Sequence, residues 1–544
     1  MKLKKRLKKK YLLEGLTAGI CILLLLTGCS GDAAVEDAVS QDMVAESSIS
    51  ENAGEDTEEA PVQFAEGETA AEDPGEVPEE DVSMGEGSVF VSWEDAGLED
   101  HVMEWGDRIL QIHMKYITGI HDRDIMLSDV WEYTELNLGF ENGEKTATDG
   151  TIYGMNEYIH CIDALGELRN LQVLDLSFQC TIEDISALSS LTNLRELNLW
   201  HIEGLGKCDL SDLSALSGLK NLEVLNLGGN FSISDLSALS GLTNLRELNL
   251  AFHIYIDDLS ALSTLTNLEK LDLRREPVLH GDYGISGISA LSSLTNLREL
   301  NLNDNQISDI SALSGMKNLE ILEMEDNEIS DISVLSGLAN LQRLNLRSNN
   351  ISGEVNVLGG LTNLQELYLE CNDISGIGDL SSLTNLEKIN LGWNEIQDIS
   401  GLAGLTNLQE LTLASNNISD IGVLGGMTNL QVLALGDNKI SDFNALDGMI
   451  NLQELYLPHS EISDLTFLRG LTNLKWLFLG YNEISDIGDL SGLTNLERLI
   501  LDNNNISDLS ALSELPNLNF LSVEDNPLKE DAYSAVSSVE TIYY

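Results

Sequence analysis

From residue 168 onward the apolar positions follow one phrase, apolar-x-Asn-Leu-x-x-Leu-x-Leu, which with close variants recurs sixteen times between Leu168 and Leu515. Nine of the fifteen intervals are 22 residues; the two longest, 28 and 29, follow Leu191 and Leu265. Self-similarity at this period marks a solenoid, in which a unit buries its apolar side only against its neighbours. In the copy Leu294–Gly315, Leu300 and Leu302 alternate with polar residues, which predicts a short strand with one face inward. Ile307, Ile310, Leu313, Met316 and Leu319 then recur at every third residue, a spacing that suits a 3₁₀-like return better than an α-helix. Stacked strands about 4.8 Å apart would make a parallel sheet roughly 75 Å long. The return side is wider than the strand side, so the sheet should line the concave face.

The flanks read differently. Leu98, Val102, Trp105, Ile109, Ile112 and Tyr116 share one helical face, which predicts an amphipathic helix capping the exposed end of the solenoid. Val130, Tyr133, Leu136 and Leu138, with a return through Ile159, Ile162, Leu165 and Leu168, read as a degenerate first repeat. Cap and degenerate repeat together span 98–167, the solenoid 168–528, and a C-terminal cap 529–544. Leu528, Tyr533, Val536 and Val539 would close that end.

Three polar columns accompany the leucines. One asparagine stands two residues after the start of every unit, from Asn170 to Asn517. A second follows the strand, as in Asn305, Asn327 and Asn349, and lapses in several N-terminal units and at Ser460. Both suit loop backbone that needs donors and acceptors. An acidic column (Asp309, Asp331, Asp398, Asp420, Asp442, Asp464, Asp486, Asp508) is read as caps on the short turns that follow. Ca²⁺ binding is the alternative.

At the N-terminus, seven basic residues within Met1–Lys10 precede an apolar run, Tyr11–Leu26, the layout of a secretory signal. The run ends in Leu26-Thr27-Gly28-Cys29, which resembles a bacterial lipobox. That resemblance implies removal of 1–28, a lipid on Cys29, and a protein anchored to the outer face of the cell membrane. No Lys or Arg occurs between Lys10 and Arg108, and residues 29–97 are rich in Glu, Asp, Ala, Gly and Ser. Such a segment is expected to be a disordered acidic stalk, about 45 Å in r.m.s. span for a flexible coil. With 90 acidic against 29 basic residues the net charge is −61, which disfavours nucleic acid and anionic headgroups as partners. Cys161, Cys180, Cys208 and Cys371 are too few for a disulfide framework. Cys180 and Cys208 lie in neighbouring units and either pair or remain thiols.

The phrase L-T-N-L-R-E-L-N-L-N-D-N-Q-I-S-D-I-S-A-L-S-G, Leu294–Gly315, resembles the 22-residue leucine-rich repeat of bacterial internalin-type surface proteins. The likeness covers about 168–528, and Asp124–Val130 with the helix before it is loosely similar to that family's N-terminal cap. It implies an α/β leucine-rich-repeat solenoid with one parallel strand per repeat on the concave face, 3₁₀ turns on the convex face, and protein binding through the concave side. The chain departs from the family in its lipid-type anchor and in showing no clear immunoglobulin-like domain after the repeats.

Specificity on such a scaffold must come from outward strand positions, because everything else repeats. Along the last units these read Val432, Ala434, Gly436; Glu454, Tyr456, Pro458; Trp476, Phe478, Gly480; Arg498, Ile500, Asp502; and Phe520, Ser522, Glu524. Tyr456, Trp476, Phe478, Ile500 and Phe520, with Arg498, are expected to form an exposed ligand-binding patch, and Tyr368 and Trp393 to extend it. The basic groups Lys270, Arg274, Arg275 and Arg343, Arg347 read as partners of nearby acids. The eight histidines are scattered, no zinc, phosphate-loop or nucleophile-elbow motif occurs, and neither an enzyme nor a cofactor is expected. The leading expectation is a monomeric, lipid-anchored bacterial surface module for adhesion or cell interaction, binding a protein on a host or bacterial surface. A glycan or cell-wall binder and a passive spacer are the alternatives.

Overall fold

The structure, a computed structural model, describes residue 92 and residues 98–139, 144–146, 152–154, 158–179, 181–201, 210–275, 284–529 and 532–543. The expected signal peptide, Cys29, the acidic stalk (apart from residue 92), Cys180 and Cys208 lie outside these. Among the described residues Cys161 and Cys371 take part in no disulfide.

An eighteen-stranded parallel sheet runs the length of the repeats. Each repeat contributes one three-residue strand, and the central apolar residues pair in register: Leu300 with Leu322, Leu322 with Leu344, Leu477 with Leu499. Most returns are single 3₁₀ turns, such as Ser311–Gly315 and Gly488–Gly492. The fold is therefore the solenoid that the spacing predicts, with the strand and turn arrangement that the leucine-rich-repeat resemblance implies. Its core is one continuous column in which Leu300, Ile310, Leu313, Met316 and Leu319 and their equivalents are shut off from solvent. Replacing one such leucine by alanine would cost about 2–5 kcal/mol, the range for buried aliphatic truncations.

The polar columns hold the turns. Asn305 Nδ2 donates to the carbonyls of Leu273 (3.0 Å), Leu302 and Asn303 (both 3.1 Å), while its Oδ1 accepts from Ile285 N at 3.0 Å. Its equivalents repeat the arrangement through Asn526. Two units without the column asparagine fill its place with other side chains. Gln179 donates to Leu138 O and accepts from Ile159 N, and His253 Nδ1 lies 3.0 Å from Leu250 O. In the other column, Asn193 reaches back to Arg169 O and Asn517 to Thr494 O, tying each unit to the one before. The acidic column caps turns: Asp309 Oδ1 accepts from Ser311 N at 2.9 Å, and that hydrogen bond holds its carboxyl below the ordinary range. Asp508 does the same for Ser510. Among the described residues no group of three possible ligands stands close enough to hold a metal ion.

Both ends differ from expectation. The N-terminal helix is Arg108–Thr118, not a helix from Leu98. Gly106 (φ 68°) breaks the run, and Asp107 caps the helix by accepting from Ile109 N at 2.7 Å and Leu110 N at 2.9 Å. Val102 instead bridges to Met126, so its apparent helical phase with Ile109 is coincidental. The buried side is Ile109, Leu110, His113 and Met114, with Trp105 tucked beside it. Within the stretch read as a degenerate repeat, Glu135–Asn137 pairs with Val173–Asp175 as a strand of the sheet. At the other end the residues after 529 form one further turn, Ala532–Val536, and one further strand, Thr541–Tyr543, which pairs with Phe520–Ser522.

Candidate functional site

Three outward residues per repeat face away from the core: those before, after and three beyond the central strand residue. A fourth residue turns the chain, and in most repeats it has a left-handed backbone (φ 50–61° where it is not glycine). Along the first half of the sheet the second outward position is Asn137, Asp175, Asn198, Asn226, Asn249, Asp272 and Asn301. Each of these side chains accepts from the backbone N–H two residues on, as Asn249 Oδ1 does from Ala251 N at 2.8 Å and Asn301 Oδ1 from Asn303 N at 3.1 Å. Polarity here therefore serves the turn. Lys270 sits among these residues, 3.3 Å from Glu299 and 3.8 Å from Glu247, in a shallow trough of about 340 Å³.

The middle of the face is ionic. Arg343 pairs with Glu323 and Glu366, and its guanidinium lies 4.8 Å from the centre of the Tyr368 ring. The Tyr368 hydroxyl donates to Glu366 at 2.9 Å; burial, then that carboxylate, raises its pKa. Arg347 reaches Glu325 at 3.0 Å and Glu370 at 3.3 Å. Burial pushes the Glu370 carboxyl up to about 7 against the pull of Arg347. The basic residues of this face are thus committed to local acids, as expected, and Arg274 likewise meets Asp272 at 3.4 Å.

From Thr412 onward the second outward position becomes Thr412, Ala434, Tyr456, Phe478 and Ile500. Tyr456 and Phe478 pair side by side, as do Phe478 and Ile500. On the adjoining row Trp476 pairs with Arg498, and Arg498 with Phe520. The Arg498 guanidinium lies 4.7 Å from the Trp476 ring centre and 5.9 Å from that of Phe520. Phe520 packs against Tyr543 of the added strand at 5.5 Å.

The structure thus gathers Tyr456, Trp476, Phe478, Ile500, Arg498 and Phe520 into one strip. Tyr368 stays apart, behind Asn390, Thr412 and Ala434, as part of the ionic group. Trp393 occupies a turn (φ 56°) and is not on the strip. One expectation needs correction: Tyr456 is only 5% and Phe478 only 4% exposed. With Ala414 and Ala434 they form a small apolar cluster of their own, flanked by Val432, Trp476 and Ile500. The two rings and the two alanines shield one another from solvent. The half-buried residues that a partner would touch are Trp476, Ile500 and Phe520, with Arg498 exposed over two of the rings.

Strand positions alone also leave out the turn residue. Seven repeats place Asp, Asn or Ser there (Asp304, Asp326, Ser348, Ser415, Asp437, Asn503, Asp525), residues that tolerate the left-handed region. Phe178, Phe252, Trp393, His459 and Tyr481 stand there instead. Tyr481 is 41% exposed and stacks on His459, with ring centres 4.4 Å apart and planes 18° apart. The sequence carries only a weak signal, a ring at a position that varies from repeat to repeat. At the other end of the sheet Trp200 meets Phe252 edge-on at 5.7 Å and lies over Gly228, where a Cβ would come within 2.3 Å of the indole.

The fold is that of a leucine-rich-repeat solenoid. Sequence comparison agrees: a family described as "Leucine Rich repeats (2 copies)" matches residues 169–205 and 406–448. The "Leucine rich repeat" family matches 286–329, 295–351, 362–418 and 460–506. No protein of curated function matches the chain. Among solved structures, an LRR protein of Leptospira interrogans is 24% identical with a TM-score of 0.58, covering 76% of this chain and 97% of the other. The functional domain of InlJ from Listeria monocytogenes is 18% identical with a TM-score of 0.50, covering 78% and 81%. TLR13, in its complex with ssRNA13, is 24% identical with a TM-score of 0.51, covering 69% and 62%. These likenesses are of fold.

Proposed function

We propose that this protein is a bacterial surface module, anchored through a lipid on Cys29, that binds a protein partner along the C-terminal third of its sheet face. The observation that carries the reading is the replacement of the turn-serving Asn and Asp by Ala434, Tyr456, Phe478 and Ile500 in adjacent repeats, with Trp476 and Phe520 beside them. A half-buried aromatic strip with a cation–π-held arginine has the composition of interface anchors. Leucine-rich repeats are, as a fold, scaffolds for such contacts. RNA, the ligand of the TLR13 neighbour, suits a chain of net charge −61 poorly.

The anchor reading rests on the basic start, the apolar run and the Leu26-Thr27-Gly28-Cys29 box. In this reading the acidic segment 29–97 is a spacer between the outer face of the membrane and a monomeric solenoid, and the bound partner sits on a host or bacterial surface. A glycan ligand is the second reading. It is favoured by the flat His459–Tyr481 stack with Asp437 and Asn503 in neighbouring turns, a setting suited to a sugar ring.

The test places a photoreactive residue at Trp476 or, for comparison, at Asn249, in the full-length protein on intact cells. The proposal expects a discrete protein adduct from position 476 only, lost when Phe520→Ala is added. Equal adducts from both positions, or none from either, would remove the strip as the binding site.

A further inference from the structure

The aromatic strip has charge along one side. On the third outward position and the turn beside it stand Asp437, Asp502, Glu524 and Asp525. Among the described residues none of the four forms an ion pair with Lys, Arg or His, whereas the acids in the middle of the face are held by Arg343 and Arg347. Asp502 is half-buried and accepts from Glu524 N at 2.9 Å, which sets the three C-terminal carboxylates together. Burial, the largest influence, raises the Asp502 carboxyl; the Ser522 hydroxyl and Glu524 N–H lower it, and the Glu524 and Asp525 charges raise it further. The charges of the same three acids add to the burial that raises the Tyr481 phenol. The nearest cation on the strip, Arg498, lies on the opposite row, over Trp476 and Phe520.

We infer that the partner presents an amphipathic cationic segment, with apolar side chains on Trp476, Ile500 and Phe520 and its Lys or Arg side chains reaching across to Tyr481, Asp502, Glu524 and Asp525. The inference rests on the strip being the binding face and specifies the chemistry of what binds there. Charge complementarity selects this occupant. Unpaired carboxylates beside an apolar surface repel an acidic partner and gain most from a cation, and the exposed Tyr481 ring adds a cation–π platform between them. A second copy of this chain, net charge −61, is excluded by the same repulsion.

The experiment titrates the full-length protein with a soluble peptide, Gly-(Phe-Lys-Gly)₃, following tryptophan fluorescence and calorimetry. Twin peptides replace Lys by Glu or Phe by Ser. The expected result is binding of the Phe/Lys peptide alone, weakened at least tenfold by Asp502→Asn/Glu524→Gln/Asp525→Asn. Binding should weaken less than twofold with Glu183→Gln/Asp257→Asn/Glu514→Gln, which removes the same charge at exposed positions elsewhere. Because Asp502 also bonds within the fold, Glu524→Gln/Asp525→Asn alone, both at exposed positions, serves as a second variant with at least threefold weakening expected. Equal weakening by the site and control triples means general attraction to an acidic chain and overturns the inference. So does binding that the site triple leaves unchanged. Cross-linking at position 476 separates this failure from that of the parent reading. A partner adduct that survives the acid substitutions but not Phe520→Ala keeps the strip and rejects the cationic segment. An adduct that no variant alters rejects both.

Discussion

The two halves of the sheet face share one backbone and differ in what the second outward position does. In the N-terminal half, Asn249, Asp272 and Asn301 each accept a hydrogen bond from the backbone two residues on, so the side chain completes the turn. In the C-terminal half, Ala434, Phe478 and Ile500 leave the corresponding N–H of Gly436, Gly480 and Asp502 without that acceptor, and after Tyr456 the residue is Pro458, which has no N–H. A default serving the fold has been dropped in successive repeats and replaced by rings that cover one another. A local rule broken in one region of an otherwise regular array points to a demand other than folding.

The largest test of this contrast is truncation. Phe478→Ala should destabilise by about 3 kcal/mol, the low end for a buried phenylalanine because one face of its cluster is open. Asn301→Ala should cost only about 1 kcal/mol, one side-chain hydrogen bond. Urea titration of both variants reads the difference. Equal losses would mean that the C-terminal cluster contributes no more than the hydrogen bonds it replaced. Adjacent repeats can unfold separately, so the comparison should be made by local hydrogen exchange as well.

Acid should separate the halves next. His253 takes the place of a column asparagine, is 2% exposed, and burial, partly offset by its bond to Leu250 O and aided by Arg275, pushes its pKa down to about 4. Above its ordinary value of 6.5 the ring is neutral folded or unfolded, and the column is intact. As pH falls from 6.5 toward 4 the unfolded chain takes up the proton and the native ring does not, so stability is lost across that window. The loss is roughly 3 kcal/mol at 1.36 kcal/mol per unit. At the same column position the C-terminal repeats carry Asn482 and Asn504, which do not titrate. At pH 5 amide protection should fall around Leu248 and persist around Leu477, and His253→Asn should abolish the difference. Uniform loss along the solenoid would assign the acid response to net charge instead.

Much of this contrast is legible in the sequence itself. A rigid period fixes which residues point out, so the row Tyr456, Phe478, Ile500 and the row Trp476, Arg498, Phe520 follow from counting. Counting gives direction but not reach. It does not show that Tyr456 and Phe478 cluster with Ala434 and Ala414 and leave little of themselves exposed, because that depends on how side chains pack across strands. It also places Val102 and Ile109 on one helical face, where Gly106 and the Asp107 cap start the helix between them. Gln179 and His253 stay hidden when the column is defined by the letter N and not by a buried group able to donate to a carbonyl. Residues 529–544 read as a cap because one turn and one strand fall short of a full period. The left-handed turn residues escape notice for the opposite reason: their column varies, and only the backbone shows that a bulky ring there is strained.

That strain gives the smallest and most specific comparison. Phe178 and Tyr481 hold the same left-handed turn, φ 59° and 58°, at opposite ends of the solenoid, each 41% exposed. Asn503 holds it in the repeat after Tyr481, so asparagine fits. No ring partner is seen for Phe178 among the described residues, and Phe178→Asn should stabilise by about 0.5–1 kcal/mol through relief of backbone strain. Tyr481→Asn gains the same relief but loses the stack on His459, worth about 0.5–1.5 kcal/mol, so its melting temperature should barely move. Its binding of the Phe/Lys peptide should nonetheless fall several-fold, while Phe178→Asn leaves binding unchanged. If Tyr481→Asn instead stabilised the protein and bound the peptide as before, the ring would be an accident of the turn, and the interaction face would end at the strands.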